Sequence, residues 1–239
     1  MQLYFIRHGQ SQNNQIWSES GNRKGRSSDP GLTELGLRQA QALADFIHAA
    51  QAVKPASSFD EVNGKSVELT HLYSSLMQRA ILTGNVVAEK LEMPLYGLED
   101  AYEGGGVYLE DEESGELVGQ PGKTKAELMA LTERLVLPDV NPDGWWNRPF
   151  ESREERVARA KRLLGLLLDR HGGTDDKIAV FSHAAFFNYF MAAAVGLEQR
   201  PALWFYLNNT GISRFDFNGE DQALIYTNRT EHLVPQYLT

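Results

Sequence analysis

The chain has 239 residues, of which 42% are hydrophobic and 23% charged, and it carries no cysteine. The zero excludes disulfides, thiolate nucleophiles and Cys-based metal or iron–sulfur sites, and the apolar share excludes collagen, coiled coil and wholesale disorder. With 23 Lys and Arg against 32 Asp and Glu the net charge is −9, which argues against a nucleic-acid or membrane-surface binder yet leaves room for a local positive pocket.

The N-terminal apolar run Leu3–Ile6 predicts a short buried strand that ends at Arg7-His8-Gly9. It lacks the basic leader and long apolar stretch of a secretory signal, so a cytoplasmic location is expected. Asn13 to Asp29 is polar and glycine-containing and is expected to be loop. Thr33 should cap a long helix that buries Leu37, Ala40, Leu43, Ala44 and Ile47 on one face. After a polar connection, Lys54 to Lys65, a second strand is expected over Glu68–Ser75, and a helix over Gln78–Leu91, stopped before Pro94.

Glu99 to Gly122 is glycine-rich and acidic without a period, and reads as an excursion over the domain. The cap or lid it begins should extend over about 99–150, with a helix near Lys125–Leu135 and a turn cluster at Pro138–Gly144. Glu151–Arg170 predicts a charged helix with an apolar stripe through Val157, Leu163, Leu164 and Leu167. A third buried strand, Lys177–Phe181, ends at Ser182-His183 and leads into a helix from Ala184 to about Val195. Ile212–Phe217 and Gln222–Thr227 bracket Asn218–Asp221 and predict a β-hairpin. The alternation predicts one α/β domain, three-layer α/β/α, with a mostly parallel central sheet and a cap insertion.

Three predicted strands thus end in polar or basic residues: Arg7-His8, then Ser74-Ser75 with Arg79 beyond, then Ser182-His183. Ligands of open α/β sheets bind outside the carboxyl ends of parallel strands. If these strands are neighbours, two arginines and two histidines converge where a phosphoryl group would sit. A histidine can take a phosphoryl group onto a ring nitrogen, and arginines can stabilise the charge that develops on its oxygens. No H-E-x-x-H or similar metal-ligand spacing is present, so chemistry without a metal or other cofactor is expected.

The segment Ile6-Arg7-His8-Gly9-Gln10-Ser11-Gln12-Asn13-Asn14 resembles the signature of the histidine phosphatase superfamily, the phosphoglycerate mutase-like proteins, with Gln10 where Glu is usual. Asp29–Gly36 resembles the leucine-containing phrase that follows. Tyr73–Ala80 resembles the serine–arginine element, with Ser75 where proline is usual, and Val180-Phe181-Ser182-His183 resembles the second histidine phrase. The likeness spans roughly residues 3–213. It implies that His8 attacks phosphorus, that Arg7, Arg79, Asn14 and His183 bind the phosphoryl oxygens, and that an acid between them serves the leaving group and then water. Glu103 matches that acid best, ahead of Glu99, Asp100, Glu110 and Asp111, and its role calls for a carboxyl raised by burial or nearby negative charge.

The remaining histidines read as bystanders: His71 ends a strand, His48 lies on a helix, and His171 and His232 lie on the surface. Trp145-Trp146 packs the excursion down or, with Tyr102, Tyr108 and Phe150, lines a pocket. Lys123, Lys125 and Arg148 are candidate contacts for a second anion. The expected function is hydrolysis of a small phosphorylated metabolite. The alternatives are a cofactor-dependent phosphoglycerate mutase and a non-catalytic phospho-ligand module on the same scaffold. The expected partners are a phosphorylated substrate or inorganic phosphate, with no nucleic acid or membrane, in a monomer or homodimer.

Overall fold

The structure, a computed structural model, describes residues 1–22, 24–53, 67–200, 202–219 and 221–239. The expected connection Lys54–Lys65 and Glu220 of the hairpin loop lie outside these residues. Five strands run parallel: β1 (Gln2–Arg7), β2 (His71–Ser75), β3 (Leu95–Leu98), β6 (Leu135–Val136) and β7 (Lys177–Ser182). The hairpin β8 (Ile212–Asn218) and β9 (Asp221–Arg229) adds antiparallel to β1, and the order is β6-β3-β2-β7-β1-β8-β9. The fold is therefore α/β with a largely parallel central sheet.

Side chains alternate across that sheet as the pleat requires. Tyr4, Ile6, Leu72, Ala179 and Phe181 face one core with α2 (Glu34–Gln51) and α3 (Gln78–Leu91). Leu3, Phe5, Tyr73, Ile178 and Val180 face the other with α5 (Arg153–His171) and α6 (Ala184–Ala194). The three strands that carry the polar ends lie side by side, with β7 between β2 and β1. Among the described residues, no helix is long and apolar enough to cross a membrane.

Several elements differ from expectation. Part of the expected loop after Asn13 is helix α1 (Gln12–Ser20). Its face is almost wholly polar, so no apolar period announces it. It is fixed instead by its ends, a Ser11–Asn14 capping box and Gly21 in the left-handed region at φ 65°. Leu37 is exposed, because Gly36 and Gln39 take the buried positions at the start of α2. The expected helix 125–135 is only α4 (Lys125–Met129); the chain then returns to the sheet edge as β6. Within the excursion, β4 (Tyr108–Glu110) and β5 (Leu117–Gly119) form their own two-stranded sheet, apart from the central one.

The first turn of α2 presses on the segment that follows β1. A Cβ on Gly36 would stand 2.1 Å from Gln10 O, and one on Gly9 would stand 2.5 Å from Gly36 O. These are backbone atoms and cannot swing aside. Gly36→Ala should gain up to about 1 kcal/mol of helix propensity but lose more to the clash. We expect a net loss of about 1–3 kcal/mol, read as a lower urea midpoint at unchanged slope.

Candidate active site

His8 follows β1, and its ring is fully buried. Nδ1 lies 2.6 Å from Gly9 O, which can only accept, so Nδ1 carries the ring hydrogen. Nε2 in turn receives Arg79 Nε–H at 3.1 Å. Both contacts demand the same tautomer, with Nε2 unprotonated and its electron pair turned to Arg79. Burial first, then Arg79 and Arg7, pushes the His8 pKa well below the ordinary histidine value, so the ring is neutral.

His183 stands beside it, beyond β7, with ring centroids 5.1 Å apart. Its pKa is also pushed well down, by burial and then by Arg79 and His8. Ser75 Oγ, at the end of β2, accepts Met77 N–H at 3.2 Å and lies 2.9 Å from His183 Nε2. The hydroxyl has a hydrogen to donate to Nε2, the arrangement in which the ring hydrogen sits on Nδ1. That Nδ1 is buried without a protein partner, and so is Arg7 Nε. Each such atom costs about 1–3 kcal/mol, which a hydrogen-bond acceptor supplied by a ligand would offset. The serine that stands in place of the usual proline thus orients the second histidine.

Arg7 is anchored through Nη1 on Leu207 O at 2.5 Å. Burial lowers its pKa to about 10, with Glu103 opposing and Arg79 adding to the shift, so it stays charged at neutral pH. Arg79, on the first turn of α3, is held by Met77 Sδ at 3.2 Å and by Asp29 at 3.8 Å. Asp29 also accepts Gln78 N–H, at 3.0 Å. Sequence reading gave Asp29 no role, placing it at the end of a loop and the start of the phrase Asp29–Gly36; its buried carboxylate is the counter-charge of Arg79.

Glu103 reaches the site from the excursion, and its charge acts on both Arg7 and Arg79. Glu103 is partly buried. Its carboxylate accepts backbone N–H groups from Gly104 (2.8 Å), Phe186 (2.9 Å) and Ala185 (3.4 Å), the latter two from the start of α6. The competing acids are engaged elsewhere or lie farther out. Glu99 pairs with Arg148 and Asp100 with Arg162, while Asp111 closes its own turn.

The backbone around Glu103 is set by a buried ion pair that sequence reading did not see. Arg159 meets Glu151 through two bonds, at 2.6 and 2.8 Å, and donates to Asp100 O and Tyr102 O. Glu151 in turn accepts from Tyr102 Oη and Gly105 N. The Arg159 guanidinium lies between the rings of Tyr102 and Phe186, 3.5 and 4.1 Å from their centroids.

Asn14 joins the site from α1. Its Oδ1 serves the Ser11 cap and receives Asn209 Nδ2, which also donates to His8 O. What Asn14 can offer an anion is therefore its amide hydrogens. A half-open cavity of about 540 Å³ rises from Arg79 and Glu103. Lys24, Arg26 and Ser27 line one side, and Tyr108, Glu110 and Asp111 the other. Trp145 and Trp146 are buried against Tyr102 and do not line it, and neither does Phe150. Arg148 stacks on Trp146 and pairs with Glu99, which engages it away from any second anion. His171, expected on the surface, is buried, and His232 is half-buried.

A family model described as the histidine phosphatase superfamily, branch 1, matches residues 3–230. A protein named probable phosphoglycerate mutase from Yersinia pestis is 22% identical over 91% of this chain and 85% of its own length. Among solved structures, phosphoserine phosphatase of Entamoeba histolytica, in complex with 3-phosphoglyceric acid, superposes with a TM-score of 0.60 at 23% identity, covering 98% of this chain and 99% of that one. A mycobacterial glucosyl-3-phosphoglycerate phosphatase gives 0.59 at 20%, covering 96% and 99%.

The neutral buried histidines make stability depend on pH. His8 and His183 have folded pKa values far below their unfolded value of about 6.5, and His232 falls to about 4. The unfolded chain therefore binds more protons below pH 6.5. Stability is fully present above that value and is lost as pH falls through it, by up to about 1.4 kcal/mol per pH unit for each group. Urea unfolding of the wild type and of His8→Gln between pH 5 and 7 should show a shallower slope for the variant.

Proposed function

Since this chain belongs to the histidine phosphatase superfamily, we propose that it is a phosphomonoester hydrolase working through a phosphohistidine on His8. One observation carries the reading. The unprotonated His8 Nε2, which accepts from Arg79, is buried beside His183 and within reach of the charge of Arg7, and Arg79 also lines a cavity of small-molecule size.

The substrate's phosphoryl oxygens take hydrogen bonds from Arg7, Arg79, His183 and Asn14. His8 Nε2 attacks phosphorus as the ester P–O bond breaks, and Glu103 gives a proton to the leaving oxygen. That proton reaches Glu103 from a phosphomonoester entering as its monoanion. Water then attacks phosphorus, Glu103 takes the water's proton, the N–P bond breaks, and inorganic phosphate leaves with His8 restored. The fixed guanidinium charges supply the stabilisation that magnesium gives in many phosphoryl transfers, so we infer that turnover needs no metal. The enzyme would be of the histidine acid phosphatase type, acting on a small metabolite in the cytoplasm. The Yersinia relative's name favours phosphoglycerate mutase as the second reading. It differs in returning the phosphoryl group to the organic acceptor rather than to water.

The test is steady-state phosphate release from a panel of phosphomonoesters in the presence of EDTA. Wild type should turn over and His8→Ala should be silent. Silence of the wild type on every ester would overturn the reading, and isomerisation only when a bisphosphorylated primer is added would establish the mutase. Ser75→Ala should lower kcat about 10–100-fold with little change in KM, because His183 loses the hydrogen bond that orients its ring. Full activity of Ser75→Ala would show that His183 needs no such orientation.

A further inference from the structure

A second cluster of titratable side chains lies at the other end of the sheet. His71 opens β2, His171 closes α5 and Asp176 directly precedes β7. They therefore sit at the amino ends of β2 and β7, whereas Ser75 and His183 sit at the carboxyl ends. A five-residue strand, roughly 17 Å long, separates the two places, and phosphoryl transfer uses none of the three residues. One ligand atom from each lies within 4.8 Å of the other two.

We propose that this cluster binds a divalent transition ion of the zinc class, through His71 Nδ1, His171 Nδ1 and the Asp176 carboxylate. Two imidazoles and one carboxylate suit zinc and its neighbours, and are a poor set for magnesium or calcium. The spacing is close to what such an ion needs. His171 Nδ1 is 2.8 Å from Asp176 Oδ2, and His71 Nδ1 is 3.9 Å from Asp176 Oδ1. Ligands about 2.0–2.1 Å from a tetrahedral ion stand about 3.3 Å apart, between those two values.

The surroundings have the pattern of an outer shell. His171 Nε2 lies 2.8 Å from the hydroxyl of buried Tyr73. Nδ1–H donates to Asp176 Oδ2, so Nε2 accepts from the Tyr73 hydroxyl; an ion bound at Nδ1 would take the place of that hydrogen, and Nε2–H would then donate to Tyr73 Oη as a ligating histidine does to its supporting partner. His71 and Asp176 are 35% and 27% exposed at the side chain, which provides an entry path from solvent. Thr70 Oγ1, 2.9 Å from His71 Nδ1, is the group an entering ion displaces. Binding would tie together the starts of β2 and β7 and the end of α5, so its effect falls on stability and not on turnover.

Calorimetric titration of the chelator-stripped protein with ZnCl₂ tests this, with MgCl₂ as the comparison ion and melting temperature as a second readout. Wild type should bind one equivalent of zinc with a rise in Tm, and magnesium should give neither. His71→Ala and Asp176→Asn should each weaken zinc binding by at least the 10–100-fold that loss of even a supporting partner costs. His71→Ala should also retain phosphate release and its metal-free Tm, which separates a lost ligand from a lost fold. His8→Ala should keep the equivalent, because the catalytic histidines are the competing zinc site. Absence of stoichiometric binding in wild type, unchanged affinity in both ligand variants, or loss of binding in His8→Ala would each overturn the proposal.

Discussion

Two guanidinium groups and two imidazoles share one buried place, and four positive charges cannot coexist there. The arginines keep theirs, because a guanidinium gives up its proton far less readily than an imidazolium, and the histidines give theirs up. A protonated His8 would have no electron pair for phosphorus. The same crowding of cations that suits an anion therefore also keeps His8 in the unprotonated form that the proposed attack requires. Asp29 offsets part of the charge from behind Arg79, and the remainder awaits an anionic ligand.

The scaffold keeps that balance by fixing where the charges emerge. β1 and β7 are paired in register, with Arg7 opposite Ser182, so the two histidine-bearing ends emerge side by side. Ser75, one strand over, reaches His183 directly. Glu103 has no strand to hold it. Arg159 and Glu151 do that work from α5 and the segment before it, by gripping the carbonyls of Asp100 and Tyr102 and the amide of Gly105. Removing either partner would leave a buried charge uncompensated and free the loop that carries the acid.

The parts of this arrangement legible in the sequence are those written as continuous apolar runs with polar ends. β1 and β7 are such runs, and so the Arg7-His8 and Ser182-His183 ends could be read directly. β3 and β6 could not, being four and two residues long and set at an edge. Helix α1 had no apolar face to betray it, only its caps. Glu151 and Arg159 looked like ordinary charges of a charged helix, since nothing local distinguishes a bidentate buried pair from two solvated side chains. His171 carried a signal that could have been followed: the buried stripe of α5 runs through Leu163, Leu164 and Leu167, and one more turn lands on residue 171. Glu103 was found by likeness, but its setting was not, because the helix start that feeds it hydrogen bonds lies some eighty residues away.

The cavity walls belong to a different structural regime from its floor. The floor is made by strand ends in the central sheet, whereas one wall is the small sheet of β4 and β5, bonded to itself and outside the main ladder. The other wall is the segment around Lys24–Ser28, pinned by Asn13 to Ser27. Substitutions in either wall leave the registers of β1, β2 and β7 untouched. Such a division lets descendants of one ancestor change the leaving group they accept while inheriting the phosphoryl chemistry intact, so that diversification proceeds by surface drift with little penalty in folding.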